Sequence, residues 1–208
     1  MSRHKAIIFD CGGVVFTCSF DNALNYWAMV SGKDTNEIKS KFDFDETFKK
    51  FERGEISSTA FRKHALSKLR LKISNEKFDK GWNSIYLDLV PGIKQLLQEL
   101  KQKYRMVALT NTNEIHAKKW RIMYASILNY FEKVFSSHEI HARKPEQKAY
   151  NTVLNYLRLE PNEVIFLDDN PECVQAASKM NITSIHVTSF RQMIEELNKL
   201  GVQVKSIV

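Results

Sequence analysis

The chain has 208 residues, 43% of them hydrophobic, and a formal net charge of +7 at neutral pH. That length can bury a real core as one large domain or a domain with an insertion, and no apolar run is long enough to span a membrane. The basic charge permits nucleic-acid binding, but the lysines alternate with acids, as from Lys41 to Arg53. Such a run reads as a solvated helix face, which favours an anionic small molecule over nucleic acid.

In chain order, the basic start Arg3-His4 leads into a short strand-like run, Lys5 to Phe9, closed by Asp10 and followed by Cys11-Gly12-Gly13-Val14-Val15-Phe16. The early acid argues against a signal peptide and for the cytoplasm. From about Asp21 to Leu87 the pattern is helical throughout, with apolar side chains at three- and four-residue spacings (Phe44, Phe48, Phe51; Phe78, Trp82, Ile85) and no strand signal. After Pro91-Gly92 comes an amphipathic helix (Ile93, Leu96, Leu97, Leu100) and a strand, Arg105 to Leu109; helix and strand then alternate to the C-terminus. Alternation predicts an α/β fold with a parallel sheet and helices on both faces, and makes the helical block an insertion. Cys11, Cys18 and Cys173 are odd in number and lack CxxC spacing, so they suggest reduced thiols rather than a disulfide framework or zinc site.

In an open parallel sheet, ligands sit beyond the carboxyl ends of the strands. Four segments place polar groups there: Asp10, Thr110-Asn111, the loop Arg143-Lys144-Pro145-Glu146, and Asp168-Asp169 after Val164 to Leu167. A carboxylate can attack phosphorus to give an acyl phosphate. Hard oxygen ligands on separate loops suit Mg²⁺, while a hydroxyl and a lysine neutralise phosphoryl oxygens.

Asp10, Leu109-Thr110-Asn111-Thr112-Asn113, Arg143-Lys144-Pro145-Glu146 and Leu167-Asp168-Asp169-Asn170 stand in the order of four motifs of the haloacid dehalogenase superfamily, and the chain resembles it over nearly its whole length. The helical insertion resembles the C1 cap of subfamily I, and Asp10-x-Gly12-Gly13-Val14 with Thr110-Asn111-Thr112-Asn113 is similar to the bacterial α-D-glucose-1-phosphate phosphatases. The resemblance implies a Rossmann-like three-layer α/β/α core (residues 1–17 and 88–208) and an all-helical cap (residues 18–87). It also implies Asp10 as nucleophile and metal ligand, Lys144 steadying Asp10 and the phosphate, and Thr110 binding the phosphoryl group. Asp168, Asp169 and the Gly12 backbone carbonyl would complete a Mg²⁺ site, and Asn111 is read as a substrate contact. Most family phosphatases carry a second Asp, a general acid and base, where this chain has Gly12.

The expectation is a cytoplasmic Mg²⁺-dependent phosphatase of a small phosphorylated metabolite, a sugar phosphate first, working as monomer or homodimer with no nucleic-acid or membrane partner. A dehalogenase would also attack through Asp10 and lacks the second acid, but it needs no metal, so Asp168-Asp169 weighs against it. A weakly active phosphometabolite-binding protein is favoured by Gly12 alone. His116, His138 and His141 read as structural or exposed, Cys11 as packing, Asn113 as a loop or capping residue, and Asp168-Asp169-Asn170-Pro171 also as a helix start.

Overall fold

The computed structural model describes residues 3–204. The first strand, β1 (Ala6–Phe9), is followed by β2 (Phe16–Cys18) and five helices: α1 (Phe20–Ser31), α2 (Thr35–Lys39), α3 (Glu46–Glu52), α4 (Ser58–Lys68) and α5 (Asn75–Asn83). Then come β3 (Tyr86–Leu89), α6 (Ile93–Leu100), β4 (Arg105–Thr110), α7 (Glu114–Met123), α8 (Ala125–Leu128), β5 (Lys133–Ser136) and α9 (Ser137–Ile140). The chain continues through α10 (Gln147–Leu157), β6 (Val164–Asp168), α11 (Pro171–Lys179), β7 (Thr183–His186) and α12 (Phe190–Lys199).

Five strands form one parallel sheet in the order β5-β4-β1-β6-β7. The inner strands are apolar without alternation, as a sheet covered on both faces requires. Ile7 and Phe9 pack into one layer with the α6 face (Leu96, Leu97, Leu100), while Ile8, Val107 and Phe166 pack into the other with α10 (Tyr150, Val153, Leu157). This is the expected three-layer α/β core. The connections from β1 lead first to β4 on one side and later to β6 on the other, so the strand order reverses at β1. The end of that strand, where Asp10 stands, is where such a sheet opens a crevice.

The five helices share a separate aromatic core in which Trp27, Phe78 and Trp82 stack and Phe48, Phe51 and Phe61 close around them. One expectation fails here. The stretch read as helical to Leu87 ends earlier, and Tyr86–Leu89 is a strand, paired antiparallel with Phe16–Cys18 in a two-stranded ribbon. Both strands are too short for alternation to stand out from helix spacing, and only their mutual pairing makes them extended.

Candidate active site

Asp10 follows β1 directly, and its backbone N–H donates to Leu167 O at 2.8 Å, so the end of β1 is tied to the end of β6. Asp168 is the last residue of β6 and Thr110 the last of β4, the two neighbours of β1. Three strand ends therefore deliver Asp10, Thr110 and Asp168 to one rim. The tight turn after Asp10 is held by the Val15 and Phe16 N–H groups donating to Cys11 O, and by Gly13 N–H donating to Phe16 O. Gly13 has φ +77°, and a Cβ there would stand 2.1 Å from Asp169 Oδ2. Asp169 can approach the turn only because position 13 has no side chain.

Carboxylate oxygens of Asp10, Asp168 and Asp169 lie within 4.8 Å of one another. Lys144 enters from the loop before α10, 2% exposed, with Nζ 2.7 Å from Asp10 Oδ1 and 2.6 Å from Asp168 Oδ2. The other Asp168 oxygen accepts the Asn170 N–H at 2.8 Å, and Asn170 itself caps α11 ahead of Pro171. Burial pushes the Asp10 carboxyl up to about 7, against the pull of the Lys144 ammonium. Asp169 is raised by burial and then by Asp168. Burial alone would lower Lys144, but the Asp10 and Asp168 carboxylates more than reverse it and hold its ammonium above the usual range. Three carboxylates against one ammonium leave two negative charges and several oxygen lone pairs without a partner. That donor set fits a hard divalent cation such as Mg²⁺.

Asn111, read from the sequence as a substrate contact, has its amide engaged at both ends by the backbone of Lys144: Nδ2 donates to Lys144 O at 2.9 Å and Oδ1 accepts Lys144 N–H at 2.8 Å. The contact pins the lysine loop to the end of β4. Asn113 caps α7, its side chain accepting the His116 N–H. His116 is buried and stacked on Trp82; its Nε2 lies 2.9 Å from Trp82 O and its Nδ1 3.2 Å from Asn113 Nδ2. A carbonyl only accepts, so Nε2 carries the proton and Nδ1 takes a hydrogen bond from Asn113, a neutral ring. Burial lowers the His116 pKa to about 3.

A cleft of about 910 Å³ opens over this rim, lined on the sheet side by Asp10, Gly12, Thr110, Lys144 and Asp169, and on the helical side by Phe20, Phe44, Phe48, Lys49, Glu52 and Arg53. Here the run from Lys41 to Arg53 departs from a solvated face. Glu52 is 6% exposed, and its Oε2 accepts from Arg143 Nε at 2.7 Å. Arg53 binds Glu46 at 2.5 Å, Glu55 at 2.6 Å and Glu146 at 3.1 Å. Glu52 and Arg53 thus join α3 to the loop that carries Lys144, across 91 and 93 residues of sequence. Sequence reasoning missed this pair; the one available signal was a Glu-Arg step beside Gly54 at the end of a helical pattern, which is weak.

The model of the haloacid dehalogenase-like hydrolase family matches residues 35–187. The chain belongs to that family. It is 30% identical to a sesquiterpene phosphatase of Aspergillus oryzae, over 94% of this chain and 96% of that protein. It is 20% identical to the D-ribitol-5-phosphate phosphatase of Bacteroides thetaiotaomicron, over 93% and 96%. A family enzyme from Bacteroides thetaiotaomicron, solved with magnesium and inorganic phosphate, superposes with a TM-score of 0.77 at 26% identity, covering 90% of this chain and 96% of that one. This chain is therefore a haloacid dehalogenase-like hydrolase, with phosphatases among its relatives. Among the described residues no helix is long and apolar enough to cross a membrane.

Proposed function

We propose that the chain is a Mg²⁺-dependent phosphatase that hydrolyses a small phosphate monoester through a phosphoryl group carried on Asp10. The observation that carries this reading is the meeting of three carboxylates within 4.8 Å beside a lysine that bridges two of them. It is supported by the relatives' activities on D-ribitol 5-phosphate and sesquiterpene phosphates, and by the related enzyme solved with magnesium and phosphate.

Asp10, Asp168, Asp169 and the Gly12 carbonyl would hold Mg²⁺, which supplies positive charge to the phosphoryl oxygens when bound. Lys144, kept protonated by Asp10 and Asp168, orients the Asp10 oxygen and meets the phosphoryl group with Thr110. Asn111 keeps the lysine loop in place. An Asp10 oxygen attacks phosphorus as the ester P–O bond breaks, and the alcohol oxygen leaves with a proton. Because position 12 is glycine, that proton comes from water. Water then cleaves the acyl phosphate, returning the Asp10 carboxylate and releasing inorganic phosphate. The helical segment, residues 18–87, acts as the lid, with the β2–β3 ribbon as its connection to the core, and keeps bulk water out during attack.

The test is phosphate release from a panel of sugar, alkyl and aryl monoesters with and without Mg²⁺. Release should require the metal, and Asp10→Asn should lower it by more than about 10⁴-fold. Turnover untouched by Asp10→Asn would end the reading, and halide release insensitive to EDTA would replace it with a dehalogenase.

A further inference from the structure

The helical side of the cleft has two unlike parts. One is charged but internally closed. Arg53 is shared among Glu46, Glu55 and Glu146, and Arg143 is held by Glu52. The carboxylates that α3 and the lysine loop show to the cleft are therefore already spent on guanidinium groups. Lys49, the other charged side chain that this segment brings to the cleft, is a donor and suits an anion better than a sugar hydroxyl.

The other part is apolar. Phe44, in the loop between α2 and α3, is 47% exposed, yet it is fixed by ring contacts to Phe20 at 5.1 Å, Phe42 at 5.4 Å and Phe48 at 4.9 Å. Phe20, Phe48, Ile85 and Tyr86 continue this wall along the cleft. The Tyr86 ring is held edge-on against Phe16 and His116, so it lines the cleft as a fixed ring. A ring held rigidly in a half-exposed position at a cleft mouth offers apolar area that costs little entropy to cover.

Resting on the reading above, we infer that the organic part of the substrate is an apolar hydrocarbon body seated against Phe20, Phe44, Phe48, Ile85 and Tyr86, rather than a polyol. A sugar moved into this cleft would give up water at each hydroxyl and meet carboxylates already bonded to arginine. A hydrocarbon body gives up only unfavourable hydration and covers the exposed Phe44 edge. The phosphoryl end, held at the polar rim of the sheet, fixes orientation.

The test is calorimetric binding of n-alkylphosphonates of increasing chain length to the Mg²⁺-loaded protein, with hydrolysis of the matching alkyl phosphates and of sugar phosphates measured alongside. Kd should fall about threefold to fourfold per added methylene until the wall is covered. Phe44→Ala, a change at an exposed position, and Phe20→Ala should flatten that dependence. Affinity independent of chain length overturns the inference. So does a length dependence that both variants leave untouched, or a kcat/KM for sugar phosphates above that of the longest alkyl phosphates. Length-dependent binding with no hydrolysis of any ester would support the apolar seat while ending the hydrolytic reading, so the two failures are distinguishable.

Discussion

The sheet rim and the helical segment that faces it treat charge in opposite ways. At the rim, Asp10, Asp168 and Asp169 meet a single ammonium, and the cluster is left two positive charges short. Across the cleft, Glu52 closes on Arg143 and Arg53 on three glutamates, while the interior behind them is a stack of aromatic rings. On the proposed reading, the incomplete region takes up a cation and an anion. The complete one is built to stand still and present a surface. Chemistry is thus expected to depend on the rim, and stability and choice of substrate on the segment above it.

Lys144→Met should do the most damage to both halves of that contrast. It removes the one cation between two buried carboxylates, 9% and 1% exposed, and leaves them facing each other. Without divalent ions at neutral pH, we expect denaturant unfolding to show a loss of about 3–5 kcal/mol. A loss under about 1 kcal/mol would mean that Lys144 does not neutralise the rim. Glu52→Gln comes next, at about 2–3 kcal/mol, because Arg143 loses a charge-assisted partner in a nearly closed site. A double-mutant cycle with Arg143→Met should recover most of that loss, which separates the pair from general disturbance of α3.

A third prediction concerns His116, at the seam between α7 and the aromatic core. Its pKa is lowered to about 3 by burial, so between that value and about 6.5 the unfolded chain binds a proton that the folded chain refuses. The contribution is fully present above about pH 6.5 and is lost as pH falls, the loss amounting to about 2 kcal/mol at about pH 5. Urea midpoints measured across that window should decline more steeply for the native protein than for His116→Gln, even where the variant is the less stable at neutral pH. Parallel slopes would show that the ring is not held neutral.

The same contrast explains what could be read from the sequence. The rim was legible because each of its groups ends an apolar run: Phe9 gives way to Asp10, Leu109 to Thr110, Leu167 to Asp168. A parallel sheet gathers strand ends, so position along the chain carries position in space. The Glu52–Arg143 contact has no such rule, since an ion pair 91 residues apart leaves no periodic trace and its members sit in a run that looks solvated. The β2–β3 ribbon was hidden for a related reason, its strands being only three and four residues long. Asn111 was placed at the right strand end, but its engagement with the Lys144 backbone depends on how a distant loop folds back, which residue type alone does not express.

The smallest effect, and the one that tests the division of labour most closely, lies at the two neighbouring glycines. Gly13 has no room, since its Cβ would strike Asp169, and Gly13→Ala should disturb the rim directly. Gly12 is different: a Cβ there meets nothing closer than Cys18 Sγ at 3.7 Å, an ordinary contact. Gly12→Asp should therefore fold and place a carboxyl beside the site of attack. General acid catalysis reaches about 10²–10⁴-fold where a site has been built around it, and a grafted acid with no supporting contacts should recover only about tenfold in kcat. The gain should fall on alkyl phosphates, whose alkoxide leaves poorly without a proton, and not on aryl phosphates, whose phenolate leaves unaided. Equal gains on both esters would assign the effect to binding, and a gain on neither would mean that water already protonates the leaving oxygen as fast as the reaction requires.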